Sequence, residues 1–409
     1  MTSNITQPKN HKSMLSVLML TIMIDVMGLC LIFPLMPTLF LSTHGLITGS
    51  LSIYHRYWYY AIAVAIWPLG NFFGTAYLGE LSDKYGRRRI LISCLAMVAA
   101  SYLIAGISIL LHSLWLFMLG RLLAGFFGGS YDIAQAAIAD ISPPDLKARN
   151  MSLITFASAI GVIIGPLISS FTGSSQIVSW FSVVTPFWIA GILSLINMLW
   201  IILVFVETFQ PIADKHIHWT KVFTACKFMF VDRRVRKMGL IFFFFILGWG
   251  FYLQQIPLVL EKIFHFNAHL IGLFFFVLGM GLALSMIFIQ PKLLKLYSMQ
   301  TIYKLGVLIV GIVMLLASII LTAKLEWVSV FVIAVFFIIA YGSVLALISN
   351  AVAENEQGQV MGGLGAMGAV GFLVTGISLA ALTNISVNLP IYCAVGTYFI
   401  SGILALIIL

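Results

Sequence analysis

Three charged side chains stand where the surrounding sequence offers no water. Asp25 lies in the apolar run 14–41, and Arg121 and Asp132 lie in the run 114–139. A charge near the centre of a bilayer costs about 2.5–3.5 kcal/mol on insertion scales, so each needs a partner or a wet cavity. Arg121 and Asp132 are eleven residues apart. At about 100° per residue they return to within about 20° of one helix face, roughly 16 Å apart along the axis. Gly125, Gly128 and Gln135 fall near the same stripe. A polar, small-residue face of this kind suits a water-filled path. The chemistry open to a carboxyl there is reversible protonation, because desolvation raises a carboxyl pKa and a neighbouring guanidinium lowers it. The competing reading is a static polar contact between helices.

Composition says what must hold these groups. The chain is 61% hydrophobic and 9% charged over 409 residues, with mean hydropathy +1.09. Soluble domains carry roughly 25% charged residues, so this chain cannot clothe itself in a water-compatible surface. Lipid must cover most of its exterior. Windows of about 20 apolar residues predict spans at 14–41, 57–79, 90–111, 114–139, 150–172 and 178–206, then 238–260, 269–291, 301–322, 327–351, 358–382 and 389–409. The fold class expected is all-α: a polytopic membrane protein with twelve transmembrane helices in two pseudo-symmetric six-helix bundles. The expected domains are 1–206 and 238–409, joined by a linker at 207–237. The first run is too long for a signal peptide and is expected to remain as a span.

The formal charge of +9 does not point to nucleic acid, because the basic residues sit in short loops between spans. Of the 22 Lys and Arg, only Arg56, Lys262 and Lys324 fall on the side away from the termini, and Arg121 lies within a span. The others, from Lys9 through Lys84, Arg87, Arg88, Arg89 and Lys215 to Lys304, gather on the terminal side. The positive-inside rule then predicts both termini in the cytoplasm of a cell inner membrane. The linker reads as a tether, with an interfacial helix as the rival reading. Four cysteines show no ligand spacing and are expected as apolar packing residues. Neither a metal nor a cofactor is expected. His265 and His269 alone make a poor zinc pair.

Between the second and third spans stands Gly79-Glu80-Leu81-Ser82-Asp83-Lys84-Tyr85-Gly86-Arg87-Arg88-Arg89. It resembles the signature loop of the major facilitator superfamily. The first span, Asp25-Val26-Met27-Gly28 through Pro34 and Pro37, is similar to that of the tetracycline-efflux group of drug/proton antiporters. Gly120-Arg121-Leu122-Leu123-Ala124-Gly125 in the fourth span agrees, and Gly161-Val162-Ile163-Ile164-Gly165-Pro166 in the fifth resembles the antiporter signature. The pattern departs at Ser169 and Ser170, where that group has glycines, in the ninth span, which lacks an acid, and at Asp132, usually a small residue there.

The resemblance implies alternating access by two rocking bundles. Gly79, Asp83, Gly86, Arg87 and Arg88, with Gly161, Gly165 and Pro166, are expected to serve gating, and Asp83 is expected to sit against a neighbouring helix N-terminus. It also implies that spans one and four line a central path. Arg121 is then expected to pair with Asp25 in one state and release it on protonation, with Asp132 as a second coupling acid. Tyr131, Gln135, Trp249, Gln254, Gln255 and Tyr341 are candidate cargo contacts, each with helix–helix glue as its bland reading. The expected function is proton-coupled export of a small amphipathic organic molecule, a drug or a metabolite such as a siderophore. A proton-coupled importer of a nutrient or siderophore is the alternative. The partners expected are that small molecule, protons and the lipid bilayer, with the chain a monomer. Enzyme chemistry is not expected, because HExxH, GxSxG and phosphate-loop motifs are missing from the sequence.

Overall fold

The computed structural model describes residues 11–42, 45–49, 51–175, 178–212, 220–353 and 356–409. Lys9 and Lys215 lie outside them. Among the described residues, twelve helices are long and apolar enough to cross a membrane. They are α1 Lys12–Leu41, α2 Ile53–Tyr85, α3 Arg87–Leu110, α4 Leu114–Ile141, α5 Asp145–Thr172 and α6 Thr185–Val204. The second set is α7 Arg236–Phe264, α8 Ala268–Leu296, α9 Met299–Ile320, α10 Ala323–Ser349, α11 Gln357–Ile385 and α12 Leu389–Ile408. The predicted spans coincide with these to within a few residues, except that α6 begins at Thr185 instead of 178. There Ser182 N–H donates to Thr185 Oγ1 (2.9 Å) and Pro186 occupies the first turn, which sets a turn ahead of the helix.

Among the described residues, α8 passes through a π-helical stretch at Ser285–Ile289, and two further spans are broken. In α1, Pro34 cannot continue the helical ladder, so a turn at 32–35 separates His11–Leu31 from a short helix Met36–Leu41. In α4, Gly128 and Gly129 divide Leu114–Phe127 from Ser130–Ile141. This break was not anticipated by treating α4 as one straight helix.

Within the first six spans, α1 packs on α5, α2 on α4, and α3 on α4 and α6. Within the second six, α9 packs on α10, α7 on α12, and α8 on α10. The two sets meet chiefly along α2–α11 and α5–α8. These are equivalent pairs if spans one to six are laid over seven to twelve. Gly161 and Gly165 seat α1 directly on α5. A Cβ on either would lie 2.5 Å or less from the Met23 or Met27 carbonyl. The two glycines therefore hold α1 inside the first bundle, and it is the other face of α5 that meets the second. There Gly272 lies under Ser170 and the Pro166 carbonyl, and Gly279 under Ile163.

The seam is tight at the end opposite the basic loops. Gly376 of α11 abuts Ala65 of α2, with 2.8 Å between a built Cβ and the Ala65 Cβ. Tyr60 Oη donates to the Gln254 carbonyl (2.7 Å), and Phe33 stacks on Phe275 with ring centroids 5.4 Å apart. Ser170 Oγ donates to the His269 carbonyl (2.8 Å), while His269 Nδ1 lies 3.0 Å from the Ser170 carbonyl. Its neighbour Ser169 turns the other way and donates to the Leu31 carbonyl of α1. The serine pair that departs from the family pattern thus ties α5 to both bundles.

Arg56, expected in a loop, lies in the first turn of α2 and is only 5% exposed. Its guanidinium donates to the carbonyls of Phe40 (3.0 Å), Ser42 (3.1 Å) and Gly49 (3.0 Å). It holds the connection between α1 and α2, where backbone carbonyls have no helical partners. Glu80 and Glu326 also prove buried, because α2 and α10 extend beyond their apolar windows. The set of intramembrane charges is therefore larger than the three read from the sequence.

The linker carries a helix, Lys221–Val231. Met229 is fully buried, and it and the Ala225 carbonyl cover Gly363 of α11. Phe223 contacts Phe72 and Phe73 of α2 at 5.3 and 6.1 Å between centroids. Arg234 then pairs with Asp232 (3.0 Å) and with Glu356 at the head of α11 (2.7 Å). The linker is more than a tether: it is a wall.

Candidate transport cavity

A cavity of about 770 Å³ lies between α1, α2, α3, α4, α11 and the linker helix. It reaches the basic end, since Gly358 and Gln359 at the head of α11, with Val222 and Thr224 of the linker, are on its wall. Deeper in, the wall is Asp25, Asn71, Thr75, Tyr102, Tyr131 and Asp132. A volume of this size lies within the range of small-molecule sites.

The acids come together through the break in α4. The half-helix that begins at Ser130 presents Ser130 and Asp132 in its first turn. Ser130 Oγ donates to Asp25 Oδ2 (2.6 Å). Asp25 Oδ1 is buried without a hydrogen-bond partner. Asp132 is exposed to the cavity, whereas Asp25 is half-buried in its wall. Above them, Tyr102 of α3 reaches over Gly28, one turn beyond Asp25. A Cβ at position 28 would fall 1.6 Å from the Tyr102 hydroxyl. Glycine is required at that point of the first-span motif so that the phenol can enter beside the acid.

Arg121 is 7% exposed and reaches the Ala63 carbonyl at 3.5 Å, the long limit of hydrogen bonding. Among the described residues, no ion pair within 4.0 Å joins it to an acid. The Asp25–Arg121 pair expected for one state is thus absent in this conformation, in which Ser130 holds Asp25 instead.

Of the six candidate cargo contacts, Tyr131 is on the cavity wall. Gln135, Trp249, Gln254, Gln255 and Tyr341 are not. Both glutamines bridge helices within the second bundle. Gln254 Nε2 donates to the Phe372 carbonyl (3.0 Å) and Gln255 Nε2 to the Val387 carbonyl (2.6 Å), while Thr375 and Thr383 hydroxyls donate to their oxygens. Trp249 stacks on Phe337 with centroids 3.6 Å apart, and Tyr341 stacks against Phe337 and Phe245. In this conformation the bland reading of these residues describes their contacts. Tyr102, Ser130 and the linker residues Val222, Thr224 and Ala225 were not foreseen. For Tyr102, the available signal was a large polar-tipped ring in the middle of a span whose other polar residues are serines.

The loop between α2 and α3 is built on Arg87. Its guanidinium bonds Ser82 Oγ (2.6 Å), Asp83 (2.8 Å) and Asp140 of α4 (3.3 Å). The carboxylate found on a helix N-terminus here is that of Glu207. It accepts the amides of Arg87 (2.9 Å) and Arg88 (3.1 Å) at the start of α3, a position that favours negative charge. Arg88 also donates to the Ile202 carbonyl (2.6 Å). Gly86 has φ +98°, and a Cβ there would lie 2.4 Å from Glu207 Oε2, so conformation and space both demand glycine. Near the end of α2, Gly79 has nothing within 4 Å of a built Cβ.

The sequence profile of the Major Facilitator Superfamily matches residues 18–376. The chain belongs to that superfamily. Among its relatives, the class H tetracycline resistance protein of Pasteurella multocida is 30% identical over 201 residues, which span 48% of this chain and 45% of that protein. The match thus covers less than half of that relative's length. The class C tetracycline resistance protein of Escherichia coli is 25% identical over 402 residues, covering 93% of this chain and 90% of its own. Solved structures of the same fold include the human organic anion transporter MFSD10 (TETRAN), at TM-score 0.72 and 18% identity over 98% of this chain and 100% of that one. A D-xylose–proton symporter aligns at TM-score 0.76 and 16% identity, over 98% and 96% of the two chains. This superfamily member therefore has the all-α, multi-pass fold of twelve transmembrane helices expected from its sequence.

Proposed function

We propose that the chain is a proton-coupled exporter of a small amphipathic organic molecule, working by alternating access in a cell inner membrane with both termini in the cytoplasm. The cavity then opens to the cytoplasm, and the seam at Gly376, Tyr60 and Ser170 is the closed outer gate. One observation carries this reading. The wall of the cavity contains a carboxylate, Asp25, with one oxygen held by Ser130 and the other buried without a partner. A buried acceptor without a donor favours uptake of a proton. Asp132 shares that wall, so proton and cargo compete for one space. Protonation of Asp25 weakens its hold on Ser130 and the second half of α4, and cargo leaves as the bundles rock. The tetracycline resistance relatives support export over import, and the largely apolar wall supports an amphipathic cargo.

The test is uptake into inverted vesicles under an imposed pH gradient, using lipophilic cations and neutral aromatic dyes as probes. Asp25→Asn is expected to abolish gradient-driven accumulation and leave counterflow intact. Asp132→Asn is expected to weaken both. Undiminished coupling in both variants would remove the proposal.

A further inference from the structure

The second bundle contains an acid that the transport reading does not use. Glu326 stands in the first turn of α10 and is 4% exposed. It lines a small cavity of about 10 Å³ together with Tyr252 and Ile256 of α7, Ser318 of α9 and Asn388 at the head of α12. That volume is room for about one water molecule. Tyr252 is 2% exposed, and its hydroxyl is buried without a hydrogen-bond partner. Ser329 Oγ lies 3.5 Å from Glu326 Oε2 and is committed to the Glu326 carbonyl at 3.0 Å.

The wall of this cavity brings no counter-charge to the carboxyl, and Lys324, in the same turn of α10, is exposed. From α7 comes Tyr252, with Ile256 and Val259. From α9 come Met314, Ala317, Ser318 and Leu321, and from α12 Asn388 and Ile391. On its own helix stand Ser329 and Ile333. Tyr252 is the one other titratable group on that wall. Among the described residues, no Lys, Arg or His lies within 4.0 Å of Glu326. A buried carboxylate with neither a cation nor a full set of donors is strongly disfavoured, whereas the protonated acid can donate to the free Tyr252 oxygen directly or through one water. The cavity ends at Leu321 and Asn388, in the turns at the end opposite the basic loops, so a proton has a short way to that surface.

We infer that Glu326, facing Tyr252 across this one-water cavity, is a second proton-binding carboxyl that exchanges its proton with the side of the membrane opposite the basic loops. The two halves then each hold an acid site, one opening to either side, and the two are separated by the closed seam. This goes beyond the export reading and does not depend on it, since the site is tested without cargo.

The experiment is infrared difference spectroscopy of the reconstituted protein during pH titration, with glutamate side chains isotopically labelled. The wild type is expected to show a protonated glutamate band that disappears as pH rises, with Glu326→Gln removing it and Asp25→Asn leaving it. Tyr252→Phe, which keeps the ring and deletes the hydroxyl, is expected to move the frequency and midpoint of that band. A proton release measured per protein molecule, one lower in Glu326→Gln than in wild type, is the second readout. If the wild type shows no titrating glutamate band, or if the band persists unchanged in Glu326→Gln, the inference is overturned. A band that is lost in Glu326→Gln but unmoved in Tyr252→Phe overturns the role given to the tyrosine cavity. Loss of vesicle transport in Asp25→Asn with the Glu326 band intact separates this site from the one in the first bundle.

Discussion

The two ends of α11 put the same residue to opposite uses. At Gly376 the missing side chain lets α11 lie against Ala65 of α2, and the seam has no space left. At Gly358, Gly362 and Gly365, nothing lies within 4 Å of a built Cβ, and the helix borders the cavity. Gly79 on α2 is equally bare. Close helix approach in lipid depends on small residues, because apolar side chains gain nothing from leaving lipid for each other. The filled glycine marks a contact that is made in this conformation. On the proposed alternating-access reading, the bare glycines mark a surface ready to make the same kind of contact when the bundles rock the other way.

The largest effect should come from breaking the filled end. Gly376→Leu places atoms where Ala65 stands, and overpacking costs about 1–3 kcal/mol. It should lower the melting temperature in detergent and expose a cysteine placed at position 65 to impermeant reagents. An unchanged melting temperature and continued protection of position 65 would mean the seam is not a packed gate. The bare end should respond differently. Gly362→Leu meets no neighbour here, so stability should stay within about 0.5 kcal/mol, yet transport should fall to background if α11 must later approach α2 at this level. Full transport by Gly362→Leu would break the comparison.

The smallest effect concerns the linker. Hydrogen bonds from Arg234 hold both Asp232 and Glu356 below the usual carboxylate range, and the Arg234 guanidinium is raised in turn. Acids with depressed values stabilise the docked state above their unfolded values, near 4, and lose that contribution as pH falls through the folded ones. A nitroxide at position 227 should therefore gain mobility below about pH 4, and in Arg234→Gln it should be mobile already at neutral pH. All three groups meet solvent, so the change should be modest. An immobile label in Arg234→Gln would show that Met229 and Gly363 alone hold the helix.

The spans were legible because length and apolar content decide them with little help from tertiary contacts. The signature loop was legible because Gly86 and Arg87 have one workable arrangement. What could not be read was which polar residues face water and which face each other. Gln254 and Gln255 differ from Tyr131 only in what the neighbouring helix offers them, and Phe372 and Val387 supply carbonyls that lie more than a hundred residues away. The break at Gly128 was visible as two adjacent glycines but not as a helix start, because glycine pairs also occur inside continuous transmembrane helices. Without that break Ser130 has no reason to approach Asp25. Glu326 was missed at the edge of an apolar window, where one residue decides whether an acid counts as loop or core.

The attachment of the linker helix to α11 has a consequence for the chain as an assembly of parts. With Met229 on Gly363 and Arg234 on Glu356, the connector belongs mechanically to the second bundle. A gene cut ahead of residue 220 would hand the complete wall to one fragment, while a cut behind residue 231 would tear it away. Two co-produced pieces should reassemble into a complete fold in the first case and leave the cavity missing a side in the second.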